Sequence, residues 1–128
     1  MGILLGLDVG SVSVKLAALS TGQNGDFFRP FLDRSGCFFR APQEVEERLG
    51  SSIVLSRYQR TFGNPLQAAN ELLNELRLSI PQECIEGIRV TGSGARFVGD
   101  ALGSKPENEF KALACAIGNA YPGVRTVL

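Results

Sequence analysis

The chain has 128 residues with 44% apolar content, enough for one domain with a moderate core and too apolar for a disordered segment. Thirteen basic residues balance thirteen acidic ones, and no Lys/Arg run supplies a local positive patch, so nothing electrostatic points to a nucleic-acid partner. No window approaches the roughly 18 uninterrupted apolar residues of a membrane span, so no membrane partner is expected. The apolar N-terminal run lacks a basic leader and breaks at Asp8, so no signal peptide is expected. Gly6 stands where a myristoylation signal requires Ser or Thr.

The first element is the apolar run Ile3-Leu4-Leu5-Gly6-Leu7, ending on Asp8 and Val9. Gly10 and Ser11 follow, then a second alternating run that carries Ser13 and Lys15. Residues 3–8 and about 12–20 therefore read as strand, tight turn, strand, with a carboxylate at the end of the first strand. Gly10 allows the chain to turn with positive φ and leaves room for another group beside the backbone. The segment has two readings. It is a plain β-hairpin with an acidic turn, or it is an anion site. In the second case, free turn N–H groups and the Ser11 and Ser13 hydroxyls hold a phosphate, against which Asp8 holds hydrated Mg²⁺. It is not a Walker A loop, because no GxxxxGK[ST] occurs, and not a dinucleotide fingerprint, because its glycines open a strand rather than a helix.

Residues 22–51 have no clean period and hold five of the eight Phe: Phe27, Phe28, Phe31, Phe38 and Phe39. They read as an insertion with a short helix at Pro42–Leu49. The phenylalanines need burial, either against the domain's own core or against a partner domain or second subunit. Residues 52–60 alternate and are β-rich, giving a third strand. Asn64-Pro65 is a helix start, cap followed by Pro at the first helical position. Leu66, Ala69, Leu72, Leu73 and Leu76 keep helical spacing, so Pro65–Leu78 is a helix that Pro81 bars from continuing.

Residues 85–91 form a fourth strand. Thr91-Gly92-Ser93-Gly94 is then a loop, either a structural turn or a ligand loop at a strand C-terminus. Ala95–Leu102 is a helix, as is Glu107–Tyr121, with Phe110, Leu113, Ala114 and Ile117 on one face. Pro122-Gly123 ends it, and 124–128 starts a further strand. A chain stopping inside a strand reads as a boundary within a larger fold. Three strands, then helix, strand, helix, strand is the order of the first half of a ribonuclease H-like, actin-type α/β domain. Residues 1–128 would be its first subdomain, with 22–51 inserted between the second and third strands.

Cys37, Cys84 and Cys115 are widely spaced, there is no CxxC and there is no histidine. A zinc or iron–sulfur site within the chain is therefore not expected, and reduced thiols in a cytoplasmic protein are. The missing histidine also removes Ser-His-Asp and Cys-His mechanisms.

DVGSVSVK, residues 8–15, resembles the first phosphate motif of the acetate kinase, sugar kinase, Hsp70 and actin superfamily. VTGSGARFVGDALG and NEFKALACAIGNAYPGVRTVL together resemble the activator ATPases of 2-hydroxyacyl-CoA dehydratases and benzoyl-CoA reductases. Thr91, Gly92, Gly94 and Arg96 fit one motif of that family, with Ala95 inserted before the Arg. Asn108, Glu109 and Ala112 fit a second, with Leu113 in place of a common histidine. Pro122, Val124, Thr126 and Val127 fit a third.

The resemblance implies an ATP-hydrolysing protein that binds Mg²⁺ and ATP between two actin-like domains and drives an electron from a 4Fe–4S cluster into a dehydratase or reductase. Asp8 would orient Mg²⁺ through water, and Gly10, Ser11 and Ser13 would hold the terminal phosphates. Lys15 would offset their charge, and Thr91, Gly92 and Gly94 would line the same site. The cluster cysteines of the family follow its second phosphate motif. No cysteine here matches them, so no iron ligand is assigned. The implied partners are the second ATPase domain of the same polypeptide, a dehydratase or reductase, and a second copy of the chain. Two other readings stay open: a small-molecule kinase of the same superfamily, and a non-catalytic actin-like binding module.

Overall fold

The computed structural model describes residues 2–20, 28, 32, 36–78, 80–104, 106, 108, 111–112, 115, 119 and 123. Among them the chain is α/β, with six strands in one mixed sheet and three helices. The strands are β1 (Ile3–Val9), β2 (Ser13–Ser20), β3 (Phe38–Arg40), β4 (Ser52–Ser56), β5 (Gln59–Arg60) and β6 (Ile85–Thr91). The helices are α1 (Gln43–Leu49), α2 (Pro65–Arg77) and α3 (Ala95–Leu102), with a short 3₁₀ turn at Gln82–Cys84.

The sheet order is β3-β4-β2-β1-β6, with β5 also on β2. β1 and β2 are the expected antiparallel hairpin, in register from Ile3 opposite Ser20 to Val9 opposite Val14. β4 adds antiparallel to β2, and β6 adds parallel to β1 on the other side. A parallel neighbour needs a crossover rather than a tight turn. Here α2 makes it, laid across β2 and β1.

The alternation of β1 decides which face is the core. Ile3, Leu5, Leu7 and Val9 are buried, as are Val14, Leu16 and Ala18 of β2. Side chains of period two share a face, so this whole set points to the side covered by α2 and α3. From α2, Ala68, Ala69, Leu72, Leu73 and Leu76 meet them; from α3, Ala95 and Val98 do. Asn64 caps α2 as its sequence predicts, its Oδ1 accepting the Gln67 N–H at 3.1 Å. Gly103 ends α3 in the left-handed conformation, φ 71°.

Three expectations change in detail. The strand at 52–60 is two strands. β2 advances three residues between its Ala17–Leu55 and Val14–Gln59 pairings while the partner advances four. The extra residue makes a bulge. It is stabilised by Ser56, whose Oγ accepts the Leu16 N–H at 2.8 Å in place of a ladder carbonyl. The segment 22–51 contributes a strand, β3, as well as a helix, and Phe28 and Phe38 join the core while Phe39 stays 54% exposed. Within the predicted helix 107–121, Asn108 is not helical and acts as a cap: its Oδ1 accepts the Lys111 N–H at 3.1 Å. Lys111, Ala112, Cys115 and Asn119 are helical. Phe27, Phe31, Glu109, Phe110, Leu113, Ala114, Ile117, Pro122 and the predicted strand 124–128 lie outside the described residues. No helix among the described residues is long and apolar enough to cross a membrane.

Leu72 is 1% exposed against the sheet, whereas Leu4, on the opposite face, is 43% exposed. Leu72→Ala should therefore cost about 2–5 kcal/mol, transfer and cavity together. Leu4→Ala should cost less than half as much in urea titrations of the two variants. Equal losses would mean that the core face is misassigned.

Candidate functional site

The even-numbered residues of β1 face away from the helices, and the predicted site lies on this side. Asp8 is paired with Lys15 across β2 and with Thr91 across β6. Residues paired directly across a sheet share a face, so Lys15, Asp8 and Thr91 form one row. The Asp8 carboxylate lies between its neighbours. Its Oδ2 is 3.4 Å from Lys15 Nζ, and the two side chains are 42% and 35% exposed. A pair this open to water contributes no more than about 1 kcal/mol, so it orients the groups more than it stabilises the fold.

The Thr91-Gly92-Ser93-Gly94 loop closes over the end of β1. The Gly94 N–H donates to the Val9 carbonyl at 2.9 Å. Gly92 has φ 100°, and a Cβ on it would strike the Val9 carbonyl and come within 2.8 Å of Asp8 Oδ1. A Cβ on Gly94 would come within 2.7 Å of Val9 Cγ1. Both glycines are thus required by close approach, and Gly92 also by its backbone conformation. Two segments more than eighty positions apart in the chain meet at one carboxylate.

The hairpin tip departs from expectation. Gly10 is not among the residues of positive φ, and its N–H is not free for an anion, since it donates to the Ser13 carbonyl at 2.9 Å. A Cβ there would make a tight contact, 3.1 Å from the Ser13 oxygen. Ser11 is exposed at the tip and Ser13 half-exposed at the start of β2.

Two contributors were not legible in the sequence. Thr61, 5% exposed, fastens the tip to the start of α2. Its Oγ1 donates to the Ser11 carbonyl at 2.9 Å and its N–H to the Val12 carbonyl at 2.8 Å. The other is Tyr58, which the bulge between β4 and β5 turns outward; its ring centroid lies 5.1 Å from Lys15 Nζ, a cation–π contact. A Thr in a β-rich run and a Tyr at a strand break carry no signal that distinguishes them from ordinary strand residues.

Beside this row lies an open hollow of about 540 Å³, bounded by Gly6, Ala17, Leu55, Phe39, Tyr58 and Arg89, with Asp8, Lys15 and Thr91 on its rim. Arg96 is exposed in the first turn of α3. Cys37 and Cys84 are half-buried, Cys115 is exposed, and none of the three is in a disulfide. No cluster of three or more Cys, Asp or Glu suited to a metal ion occurs among the described residues. No known protein family matches the chain, and no curated protein matches it in sequence.

Gly92→Ala is expected to destabilise the protein by more than about 1 kcal/mol, since alanine is placed at positive φ and against the Val9 carbonyl. The amide resonances of Asp8 and Val9 should move with it. Gly63→Ala also falls at positive φ, 78°, but its Cβ would meet nothing within 4 Å, and it should leave those two resonances in place. Denaturant midpoints and amide spectra of both variants check this.

Proposed function

We propose that the chain is the nucleotide-binding part of an actin-like ATPase of ribonuclease H-like fold, with Asp8 at the phosphate and Mg²⁺ end of its cleft. One observation carries the reading. The Gly92–Gly94 loop is fastened to the end of β1 and packs against the Asp8 carboxylate, so the two glycine-containing turns singled out in the sequence frame one acidic group. The order β4-β2-β1-β6, antiparallel twice and then parallel, supports the fold assignment, and ligands in such sheets approach from the C-terminal ends of parallel strands.

The residues suit Mg²⁺ and ATP. Asp8 would hold a hydrated Mg²⁺, and Lys15, already 3.4 Å from it, would move to the phosphates and offset their charge. The Ser11 and Ser13 hydroxyls and the Thr91–Gly94 segment would complete the cradle, although the Gly10 N–H is committed to the turn. Phosphoryl transfer to water depends mainly on positioning and charge neutralisation, so no protein nucleophile is required. A second domain closing over Asp8 would complete the site.

The finer reading is an activator of a 2-hydroxyacyl-CoA dehydratase or benzoyl-CoA reductase, and it rests on the sequence motifs at 91–96, 108–112 and 122–127. The dispersed thiols do not fit a 4Fe–4S cluster, and no electron-transfer step is derived for this chain.

Titration of the isotope-labelled chain with millimolar ATP, with and without Mg²⁺, tests the site. Amides of residues 10–13 and 91–94 should shift together, weakly but saturably, with a Mg²⁺-dependent part that Asp8→Ala removes. No hydrolysis is expected without the closing domain. Shifts confined to other surfaces, or indifferent to Asp8→Ala, would remove Asp8 from a nucleotide site.

A further inference from the structure

We propose that Arg60 is a phosphate-binding residue at the tip of the β1–β2 hairpin, held there by the ring of Phe62 and acting with Ser13 and Lys15 on one phosphoryl group. The inference deepens the nucleotide reading and rests on it only in taking the tip as a phosphate site. It needs neither nucleoside nor Mg²⁺.

Register places the guanidinium. β5 pairs with β2 through Ser13 opposite Arg60 and Val14 opposite Gln59. Directly paired residues share a face, and diagonal neighbours lie within reach of long side chains. Arg60 therefore stands on the face of Ser13 and Lys15, which is also that of Asp8. The next residue, Thr61, is fastened to the carbonyls of Ser11 and Val12, so the backbone of Arg60 is fixed relative to the tip.

Phe62 is the telling residue. Its φ is 46°, and it is the only non-glycine of positive φ among the described residues. With Gly63 at φ 78° it forms the centre of a turn that the Asn64 N–H closes onto the Thr61 carbonyl at 2.8 Å. Two positive φ values in succession are the geometry of a type I′ turn, whose first central position suits Asn, Asp or Gly. A bulky residue there is an outlier. Burial does not explain it, since Phe62 is 86% exposed. What the ring does touch is Arg60, whose guanidinium carbon lies 5.6 Å from the ring centroid, a cation–π contact. A strained, solvent-facing ring thus orients a guanidinium beside the tip, and strain of this kind gathers at ligand sites.

The Arg60 charge is not neutralised within the protein. No ion pair joins it to a carboxylate among the described residues. Glu71, which borders the same small hollow, accepts instead from Gln59 Nε2 at 2.6 Å and Gln67 Nε2 at 3.3 Å. Lys15 is offset by Asp8. A planar guanidinium beside a hydroxyl suits the oxygens of a phosphoryl group.

The labelled chain is titrated with inorganic tripolyphosphate, without Mg²⁺ and at fixed ionic strength. The amides of residues 11–13 and the Arg60 Nε–H should shift together. Arg60→Gln should weaken binding about tenfold, and Arg60→Lys should recover part of the loss. Arg77→Gln, an equal loss of charge at the far end of α2, should change nothing. Phe62→Asn, which suits the turn but lacks the ring, should bind more weakly at an unchanged or raised melting temperature, and Phe62→Tyr should bind as the unaltered chain does. If Phe62→Asn does not fold, the Arg60 and Arg77 variants decide alone. Undiminished binding by Arg60→Gln, equal losses in Arg60→Gln and Arg77→Gln, or no binding of tripolyphosphate would overturn the proposal. Phe62→Asn binding as tightly as the unaltered chain would overturn the part given to Phe62. Mg²⁺-ATP shifts that need Asp8 but ignore Arg60→Gln would sink this inference and leave the nucleotide reading standing. Arg60-dependent tripolyphosphate binding without any Asp8-dependent response to Mg²⁺-ATP would do the reverse.

Discussion

β1 and β6 run in parallel, with Leu7 opposite Val90 and Asp8 opposite Thr91, and the rest of the candidate site follows from that register. Parallel strands end on the same edge of a sheet. Whatever follows β6 therefore emerges beside whatever ends β1. Here that brings a Gly-Ser-Gly loop onto an aspartate, and the Gly94–Val9 hydrogen bond fastens it there. A shift of one residue would put Thr91 on the helix-covered face and move the loop away from the carboxylate. The register is in turn held by the core face, since Leu7 and Val90 are both buried beneath α2 and α3. Site geometry is thus a by-product of burying β1 correctly.

The two faces of the sheet divide the work. The helix-covered face is mainly apolar and closely filled, with Ser20 and Ser56 its buried polar residues, and the stability of a domain this size comes from such a face. The other face is mixed. Gly6 and Ala17 leave it hollow at the centre, Leu55 and Phe39 wall it on one side, and charged groups collect at the ends of β1 and β6. A fold optimised only for stability would place larger β-formers at the centre. The bulge at Ser56 belongs to the same pattern. It interrupts a ladder that could have continued, and it swings Tyr58 over Lys15.

Local signals in the sequence were read correctly where one short segment carries all the information. The period-two alternation of residues 3–9 and 13–20, the Asn64-Pro65 start of α2, its leucine spacing and the extent of α3 each depend on neighbours a few positions away. The readings that changed depend on hydrogen bonds that spacing and propensity do not specify, some to near neighbours and some across the sheet. Gly10 allows positive φ, yet its φ is not positive and its N–H is committed to the Ser13 carbonyl. Asn108 is expected inside a helix, yet it caps one. The bulge that splits 52–60 arises because Ser56 answers a backbone N–H forty residues away.

By itself, then, the sequence determined the β1–β2 hairpin, α1, α2, β6 and α3 in that order, and the acidic and glycine-rich segments that mark the candidate site, because propensity, periodicity and capping are properties of adjacent residues. Tertiary structure alone decided that Asp8 and Gly92 touch, that Thr61 ties down the hairpin tip, that Phe28 and Phe38 are core while Phe39 is not, and that Gly6 faces open space. Those are consequences of strand order and register. Both are fixed by which apolar surfaces can be buried together across the whole domain, a constraint that no local stretch of sequence contains.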